Sequence, residues 1–195
     1  MDSQNVQMID ATSDFYEDIK ELCDVSFGTG YLDRTEYDKW LSHPRLVNIA
    51  LVDDEFAGFS AMIGASTEAV MEHMDMERSE VLAITGGKPA LIYKSVAVSS
   101  KFRKNGLLTR LIEGLLEHVK ELGYGAVFLS AWMYDGKIPT ESSLMSLGFT
   151  RLYQRHMLWY RYENYHCVVC NGRCVCDAVI FYKNLAADGE EETKS

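Results

Sequence analysis

The residues best suited to chemistry lie in a short run of cysteines near the C-terminal end of the chain. Cys167, Cys170, Cys174 and Cys176 are four of the five cysteines in the 195-residue sequence. Between them, Asn171-Gly172 is a strong hairpin signal, which would bring the two pairs together. Four thiolates suit tetrahedral zinc, and such a metal would be structural because four cysteines leave no open coordination position.

Two other interpretations of the cysteines stay open. On regular strands Cys174 and Cys176 share a face, whereas Cys167 and Cys170 do not, so zinc requires a tight turn over 167–170. Buried free thiols and a reversible disulfide are the alternatives. His166 is a substitute ligand for a metal, although a histidine beside a cysteine also suits simple packing.

A second candidate is the basic loop that joins a predicted strand over 91–98 to a helix beginning at Leu107. Lys101, Arg103 and Lys104 concentrate positive charge there in an otherwise acidic chain. A helix N-terminus offers unpaired N–H groups and about half a positive charge, so a pyrophosphate can bind there. Gly106 would let the phosphate approach the backbone closely. The spacing matches neither common phosphate-loop motif, and an ordinary strand-to-helix turn with surface lysines is the alternative.

The surrounding pattern predicts the elements that position these residues. Asp14 with Glu17, and Asp33 with Glu36, have the spacing of helix start signals. Gly123 stands where a helix C-terminal glycine is expected. Alternation, apolar runs and helical periodicity predict the other elements: strands over 6–12, 46–52, 56–63, 126–133, 152–160 and 177–184, and helices over 107–122 and 139–147.

Residues 66–89 interrupt this pattern as an acidic, methionine-rich insertion. The sequence predicts one helical stretch in it, over 67–76. A surface excursion and a flap over a substrate site are both compatible with the composition, since long excursions in compact domains are often functional.

The loop also carries a family resemblance. The run from Val98 to Leu108 resembles the acetyl-CoA motif of the GNAT (GCN5-related) N-acetyltransferase superfamily. Arg103 and Gly106 match that motif, whereas Leu108 stands where the family has glycine or alanine. Leu147-Gly148-Phe149 resembles the tripeptide that closes the family's second cofactor-side helix. The order of elements agrees over residues 6–160, and specific residues agree at 96–111 and 147–149.

The resemblance implies an α/β (α+β) fold with a mixed, mostly antiparallel central sheet and helices on both faces. To this the cysteines add a C-terminal cysteine-rich β-hairpin. Strands 91–98 and 126–133 would splay apart, and the pantetheine of acetyl-CoA would pair with backbone near Val96 and Val98. The pyrophosphate would bind the N–H groups of six consecutive residues: Arg103, Lys104, Asn105, Gly106, Leu107 and Leu108.

The resemblance further implies an enzyme in which an amine of a small molecule or a protein attacks the thioester directly in a ternary complex. Leu144 occupies the position of the tyrosine that protonates the leaving thiolate in many members. Tyr134 and Asp135 are the nearest polar candidates for acid or base, or simply loop residues, and no catalytic residue is assigned. The alternative functions are a non-catalytic acyl-CoA-binding sensor with a metal- or redox-responsive cysteine cluster, and a zinc-stabilised interaction protein.

Composition limits the partners and the compartment. The chain has 19 basic and 29 acidic residues, a formal net charge of −10, which argues against nucleic acid and against anionic membranes. The N-terminus lacks a signal-peptide pattern and no apolar run reaches membrane-spanning length, so we expect a cytoplasmic protein. The predicted organisation is an acetyltransferase core over 1–160, a cysteine-rich extension of the same domain over 161–185, and a disordered tail over 186–195.

Overall fold

A computed structural model describes residues 5–43 and 45–185, which contain six α-helices and ten strands. The tail predicted over 186–195 lies outside the described residues. The helices are α1 (Tyr16–Ser26), α2 (Arg34–Leu41), α3 (Thr67–Met74), α4 (Arg78–Thr85), α5 (Leu107–Val119) and α6 (Glu141–Ser146). The strands are β1 (Val6–Asp10), β2 (Gly28–Thr29), β3 (Val47–Val52), β4 (Glu55–Ala65), β5 (Ala90–Val98), β6 (Ala126–Met133), β7 (Thr150–Arg155), β8 (His166–Cys167), β9 (Gly172–Arg173) and β10 (Asp177–Asn184).

Seven of the strands form one sheet in the order β1-β3-β4-β5-β6-β10-β7. The pairs β1/β3, β3/β4, β6/β10 and β10/β7 are antiparallel, and β5/β6 is parallel. The remaining strands form a small antiparallel sheet in the order β2-β8-β9. The mixed, mostly antiparallel sheet expected from the sequence is therefore confirmed, together with a short cysteine-containing hairpin.

The chain divides into two compact units, each assembled from three segments. The first comprises Met1–Met62, Lys94–His118 and Tyr162–Cys174. It contains a core cluster of apolar side chains from β3, β4, β5, α5 and the turn between β5 and α5: Ala50, Val52, Ala57, Val98, Phe102, Leu107 and Leu111.

The second unit comprises Ile63–Tyr93, Val119–Arg161 and Val175–Ser195. Its core cluster joins the insertion helices to the sheet: Val70, Met74, Met76, Val81, Ala90, Ile92, Ala126, Phe128, Leu158, Ala178 and Ile180. No helix within the described residues is long and apolar enough to cross a bilayer.

Of the two helix start signals predicted from the sequence, one is a helix cap in the structure and the other is not. Asp33 caps α2, because its carboxylate accepts the Glu36 N–H at 2.7 Å. Asp14 does not cap α1. It lies inside a 3₁₀ turn over Ser13–Phe15, whose own cap is the Thr12 side chain, and α1 begins at Tyr16.

The insertion contains two helices, α3 and α4, where the sequence predicted one helical stretch over 67–76. The first helix ends at Met74, because Asp75 adopts a left-handed conformation with φ 53°. Val70, Met74 and Val81 are completely buried. The Arg161 guanidinium also donates to the carbonyl oxygens of Glu72 and His73, at 2.7 and 2.9 Å. The insertion is thus a packed part of the second unit.

The strand predicted over 152–160 is shorter than expected. It ends at Arg155, and a 3₁₀ turn over Leu158–Arg161 follows. Met157 has φ 50° and donates its N–H to the Asp177 carboxylate at 3.1 Å, which turns the chain out of the sheet. The C-terminal strand β10 lies between β6 and β7 and pairs with both.

Candidate functional site

The loop between β5 and α5 is held at both ends by backbone hydrogen bonds. Ser99 donates its N–H to the Ala57 carbonyl at 2.8 Å, where the strand ends. A 3₁₀ turn over Ser100–Phe102 follows, and its Phe102 ring is buried. The Arg110 N–H donates to the Gly106 carbonyl at 3.1 Å, so helical bonding begins at Gly106. The sequence-predicted strand, loop and helix are all present.

The turn into α5 has two left-handed residues, Lys104 with φ 68° and Gly106 with φ 71°. A Cβ atom placed on Gly106 would meet no protein atom within 4 Å. Residues 103–106 are exposed. The 13-residue helix α5 therefore begins beside a glycine whose side-chain position is open space.

The three basic residues of the loop have different surroundings. Arg103 donates from Nε to the Val98 carbonyl at 2.9 Å, which ties the loop to the end of β5. Lys101 forms an ion pair with Glu55 and lies 5.0 Å from the centre of the Phe102 ring. Lys104 is exposed in the turn itself. Arg103 therefore shapes the loop, and part of the expected positive charge is offset by Glu55.

The strand before the loop pairs with β6 over a short register. The parallel pairs recorded for the described residues are Ala90 with Ala126, Leu91 with Val127 and Ile92 with Phe128. Val96 is half-buried and Val98 is buried farther along β5. The half of β5 that contains Val96 and Val98 thus follows the residues that pair with β6.

A polar group beside β5 was missed by the sequence reasoning. The Tyr31 hydroxyl donates to the Lys94 carbonyl at 2.9 Å, and the Lys94 ammonium lies 3.1 Å from a Glu36 oxygen. The same oxygen accepts the Trp40 indole N–H at 3.0 Å. A lysine inside an apolar strand pattern, with Glu36 and Trp40 four apart on a helix, is the signal that could have indicated it.

Two pKa values in this group are displaced in opposite directions. Burial raises the pKa of the Tyr31 phenol, which therefore stays protonated. Burial alone would raise the pKa of Glu36, but the Lys94 ammonium and the Trp40 N–H together hold it below its ordinary value. The result is a charged, hydrogen-bonded pair held against the backbone of β5.

The residues at the positions considered for proton transfer lie in α6 and directly after β6. Leu144, which stands at the tyrosine position of the resemblance, lies in α6 and is buried. Its side chain has no hydroxyl group to donate a proton. Tyr134 is half exposed, with its ring 6.0 Å from that of Trp132, at the end of β6. Asp135, with φ 50°, lies in a tight turn closed by paired backbone bonds between Tyr134 and Lys137.

The four cysteines predicted as metal ligands converge. Their Sγ atoms all lie within 4.8 Å of one another. Cys167, Cys174 and Cys176 are buried, Cys170 is half-buried, and none of the four forms a disulfide. The hairpin turn differs from the expected two-residue Asn171-Gly172 turn. Cys167 pairs with Gly172, so a four-residue loop over 168–171 makes the turn.

The comparisons with known proteins bear on the whole fold. A family model described as "Acetyltransferase (GNAT) family" matches residues 12–136, which include β5, the basic loop, α5 and β6. The chain belongs to the GNAT acetyltransferase family. No curated protein matches this GNAT chain significantly in sequence.

Solved structures of low sequence identity share the GNAT fold with the chain. Arabidopsis thaliana Naa50, bound to a bisubstrate analogue of CoA and a peptide, is 14% identical with a TM-score of 0.64, over 92% of this chain and 98% of that one. The ribosomal-protein-S18-alanine N-acetyltransferase of Escherichia coli is 12% identical with a TM-score of 0.63, over 96% and 98%. A Bacillus subtilis acetyltransferase in complex with CoA is 17% identical with a TM-score of 0.60, over 93% and 99%.

Proposed function

We propose that this chain binds acetyl-CoA at the turn into α5 and transfers the acetyl group to an amine. The observation that carries the proposal is the open left-handed turn at Gly106, whose Cβ position faces empty space at the start of the helix. Such a terminus favours an anion, and a diphosphate is the anion that CoA presents. Membership of the GNAT family and the CoA-bound relatives support the same cosubstrate.

In this proposal the backbone does most of the binding. The N–H groups of Arg103, Lys104, Asn105, Gly106, Leu107 and Leu108 bind the pyrophosphate. Leu108 adds a side chain where the family has a smaller residue, so the amides before it carry more of the contact. The pantetheine lies along β5 and pairs with backbone at Val96 and Val98, beyond the parallel register with β6.

The proposed reaction is direct acyl transfer. A neutral amine attacks the thioester carbonyl, the C–S bond breaks, and CoA leaves as a thiolate that takes up a proton, while the attacking nitrogen loses one. With Leu144 buried in the position of the usual tyrosine, water supplies that proton. A missing general acid lowers the rate about 10²–10⁴-fold, and orientation of the two substrates accounts for the remaining acceleration.

We propose that the acceptor is an amine of a small molecule or a protein, in the cytoplasm. The cysteines support the compartment, since free thiols persist where glutathione and thioredoxin keep them reduced. Naa50 is in complex with the bisubstrate analogue CoA-Ac-MVNAL, and the Escherichia coli enzyme is named for an alanine of ribosomal protein S18, so we choose peptide N-termini as the first panel of acceptors.

Titration calorimetry with acetyl-CoA tests the cofactor assignment. We expect the wild type to bind at micromolar concentration and Gly106→Trp to lose binding, because the indole would fill the space in front of the helix amides. Gly123→Trp is a matched control. Gly123 also has a positive φ, 75°, and also has open space at its Cβ position, but it follows the C-terminal end of the same helical segment. Equal loss in both variants, or no binding by folded wild type, would contradict the proposal.

Turnover separates an enzyme from a non-catalytic acyl-CoA sensor. Acetylated product is followed by mass spectrometry with a panel of peptide and small-molecule amines, with Gly106→Trp as the inactive reference. A protein that binds acetyl-CoA but forms no product above the uncatalysed rate with any acceptor would favour the sensor.

A further inference from the structure

The cysteine cluster has the shape of a closed thiolate metal site. In a tetrahedral site with zinc–sulfur distances of about 2.3 Å, the sulfurs are separated by about 3.8 Å. The four Sγ atoms already lie within 4.8 Å of one another. Within the described residues, no other group of histidine, cysteine and acidic side chains comes together as this one does. His166 does not belong to the group, and it is exposed.

On a regular strand Cys167 and Cys170 would point to opposite faces, but the backbone here is not a regular strand. Residues 168–171 form a tight turn, in which the Asn171 N–H donates to the Cys167 carbonyl at 3.0 Å and Asn171 has φ 50°. This turn brings Cys170 back beside Cys167. Cys174 and Cys176 then follow two residues apart, and both are buried.

The turn also directs polar groups at the first sulfur. The backbone N–H groups of Cys170 and Val169 are directed at the Cys167 sulfur. Amide groups directed at a sulfur stabilise a thiolate, which is the form that binds metal. Packing alone gives no reason for four thiols to meet at one point, since each could be buried separately as a small apolar side chain.

We infer that Cys167, Cys170, Cys174 and Cys176 bind one structural zinc ion. Zinc is the d¹⁰ metal that takes four thiolates tetrahedrally without an open position. Binding releases the thiol protons still present to solvent and involves no change of oxidation state.

The zinc would anchor the loop that leads to Tyr31. Gly28 of β2 pairs with Cys167, and the Val168 N–H and the Tyr165 hydroxyl donate to the Phe27 carbonyl, at 3.1 and 2.8 Å. The Tyr165 ring meets the Tyr31 ring edge-on at 6.0 Å. Tyr31 in turn reaches the backbone of β5. The metal therefore fixes the segment from Phe27 to Tyr31 against the strand on which we place pantetheine.

Metal analysis of the full-length protein tests the inference. The protein is purified under reducing conditions without chelator and zinc is measured by inductively coupled plasma mass spectrometry. We expect about one zinc per chain. Cys174→Ser and the half-buried Cys170→Ser should each reduce zinc content at least tenfold. Cys23→Ala is the matched control, because Cys23 is a buried thiol in α1 outside the cluster, and it should retain the metal.

A second readout does not depend on acetyl-CoA. A strong zinc chelator should lower the melting temperature of the wild type by more than about 5 °C. Added Co²⁺ should restore it and give the visible absorption of a tetrahedral thiolate complex. Folded wild type that holds no zinc after dialysis against Zn²⁺, that carries iron instead, or whose cysteines form disulfides would overturn the inference. Because none of these measurements uses acetyl-CoA, failure of the proposed acetyltransferase function would leave them unchanged.

Discussion

At the scale of single residues, one oxygen of Glu36 is the centre of the polar group beside β5. It accepts the Trp40 indole N–H and faces the Lys94 ammonium, whose side chain is 15% exposed. A buried ammonium without its carboxylate would lose a large part of its stabilisation. The charge on Glu36 therefore contributes to folding stability, and it also ties α2 to the strand that Tyr31 contacts.

The depressed pKa of Glu36 gives a pH dependence with a definite sign. Its stabilising contribution is fully present above the unfolded-state value, near 4.5, and is lost as the pH falls through the lower folded-state value. We expect Glu36→Gln to lower the free energy of unfolding by about 1–2 kcal/mol at pH 7. The difference from wild type should shrink below pH 4.5 in urea titrations. Glu113→Gln, on the exposed face of α5, should show no such loss. A pH-independent difference would contradict this account.

At the scale of elements, the small sheet depends on a glycine contact. A Cβ atom on Gly28 would lie 1.8 Å from the His166 carbonyl oxygen, and its φ of 128° is unfavourable for other residues. The chains of β2 and β8 can approach each other only because that side chain is missing. This is one of the contacts that join the cysteine segment to the loop before Tyr31.

Gly28→Ala should therefore destabilise the protein by about 3 kcal/mol, because the clash is with backbone and cannot relax by a rotamer change. Gly86→Ala is the control, since Gly86 has φ 62° and open space at Cβ, so it should lose only about 1 kcal/mol through backbone strain. Urea unfolding of the three proteins measures both values. Equal effects would show that the β2–β8 contact contributes nothing beyond the glycine conformation.

Local signals predicted much of the fold. The strand-loop-helix around Gly106, the Asp33 cap and the left-handed Gly123 follow from short-range patterns and are found in the structure. The split of the insertion at Asp75 was missed, because a single αL residue leaves no periodic signal. The Glu36–Lys94 pair was missed for a different reason. Its partners lie far apart in sequence, and only the sheet brings them together.

At the scale of the whole molecule, β10 occupies an interior position in the main sheet. All eight of its residues pair with β6, and Ala178 to Phe181 are completely buried. The sequence predicted a strand over 177–184. Its position between β6 and β7 was not predictable, because strand order is set by long-range contacts rather than by local pattern.

Truncation tests how much the fold depends on β10. A chain of residues 1–176 keeps all four cysteines but lacks the strand, so it leaves the edges of β6 and β7 unpaired and removes core side chains such as Ile180. We expect this chain to aggregate or to unfold without a cooperative transition. A chain of residues 1–185 should melt cooperatively like the full-length protein. A cooperative melt of the 1–176 chain, followed by circular dichroism, would contradict the prediction.

The interior position of β10 has a consequence for synthesis. A ribosome makes β6 and β7 well before it reaches Asp177, at about 5–20 residues per second. During those seconds the nascent chain carries two unpaired strand edges beside apolar surface, which is the condition that attracts chaperones and promotes aggregation. The sheet is completed only when β10 has been made and has paired with both strands. The yield of folded protein in a cell therefore depends on the time that passes between synthesis of β7 and pairing of β10.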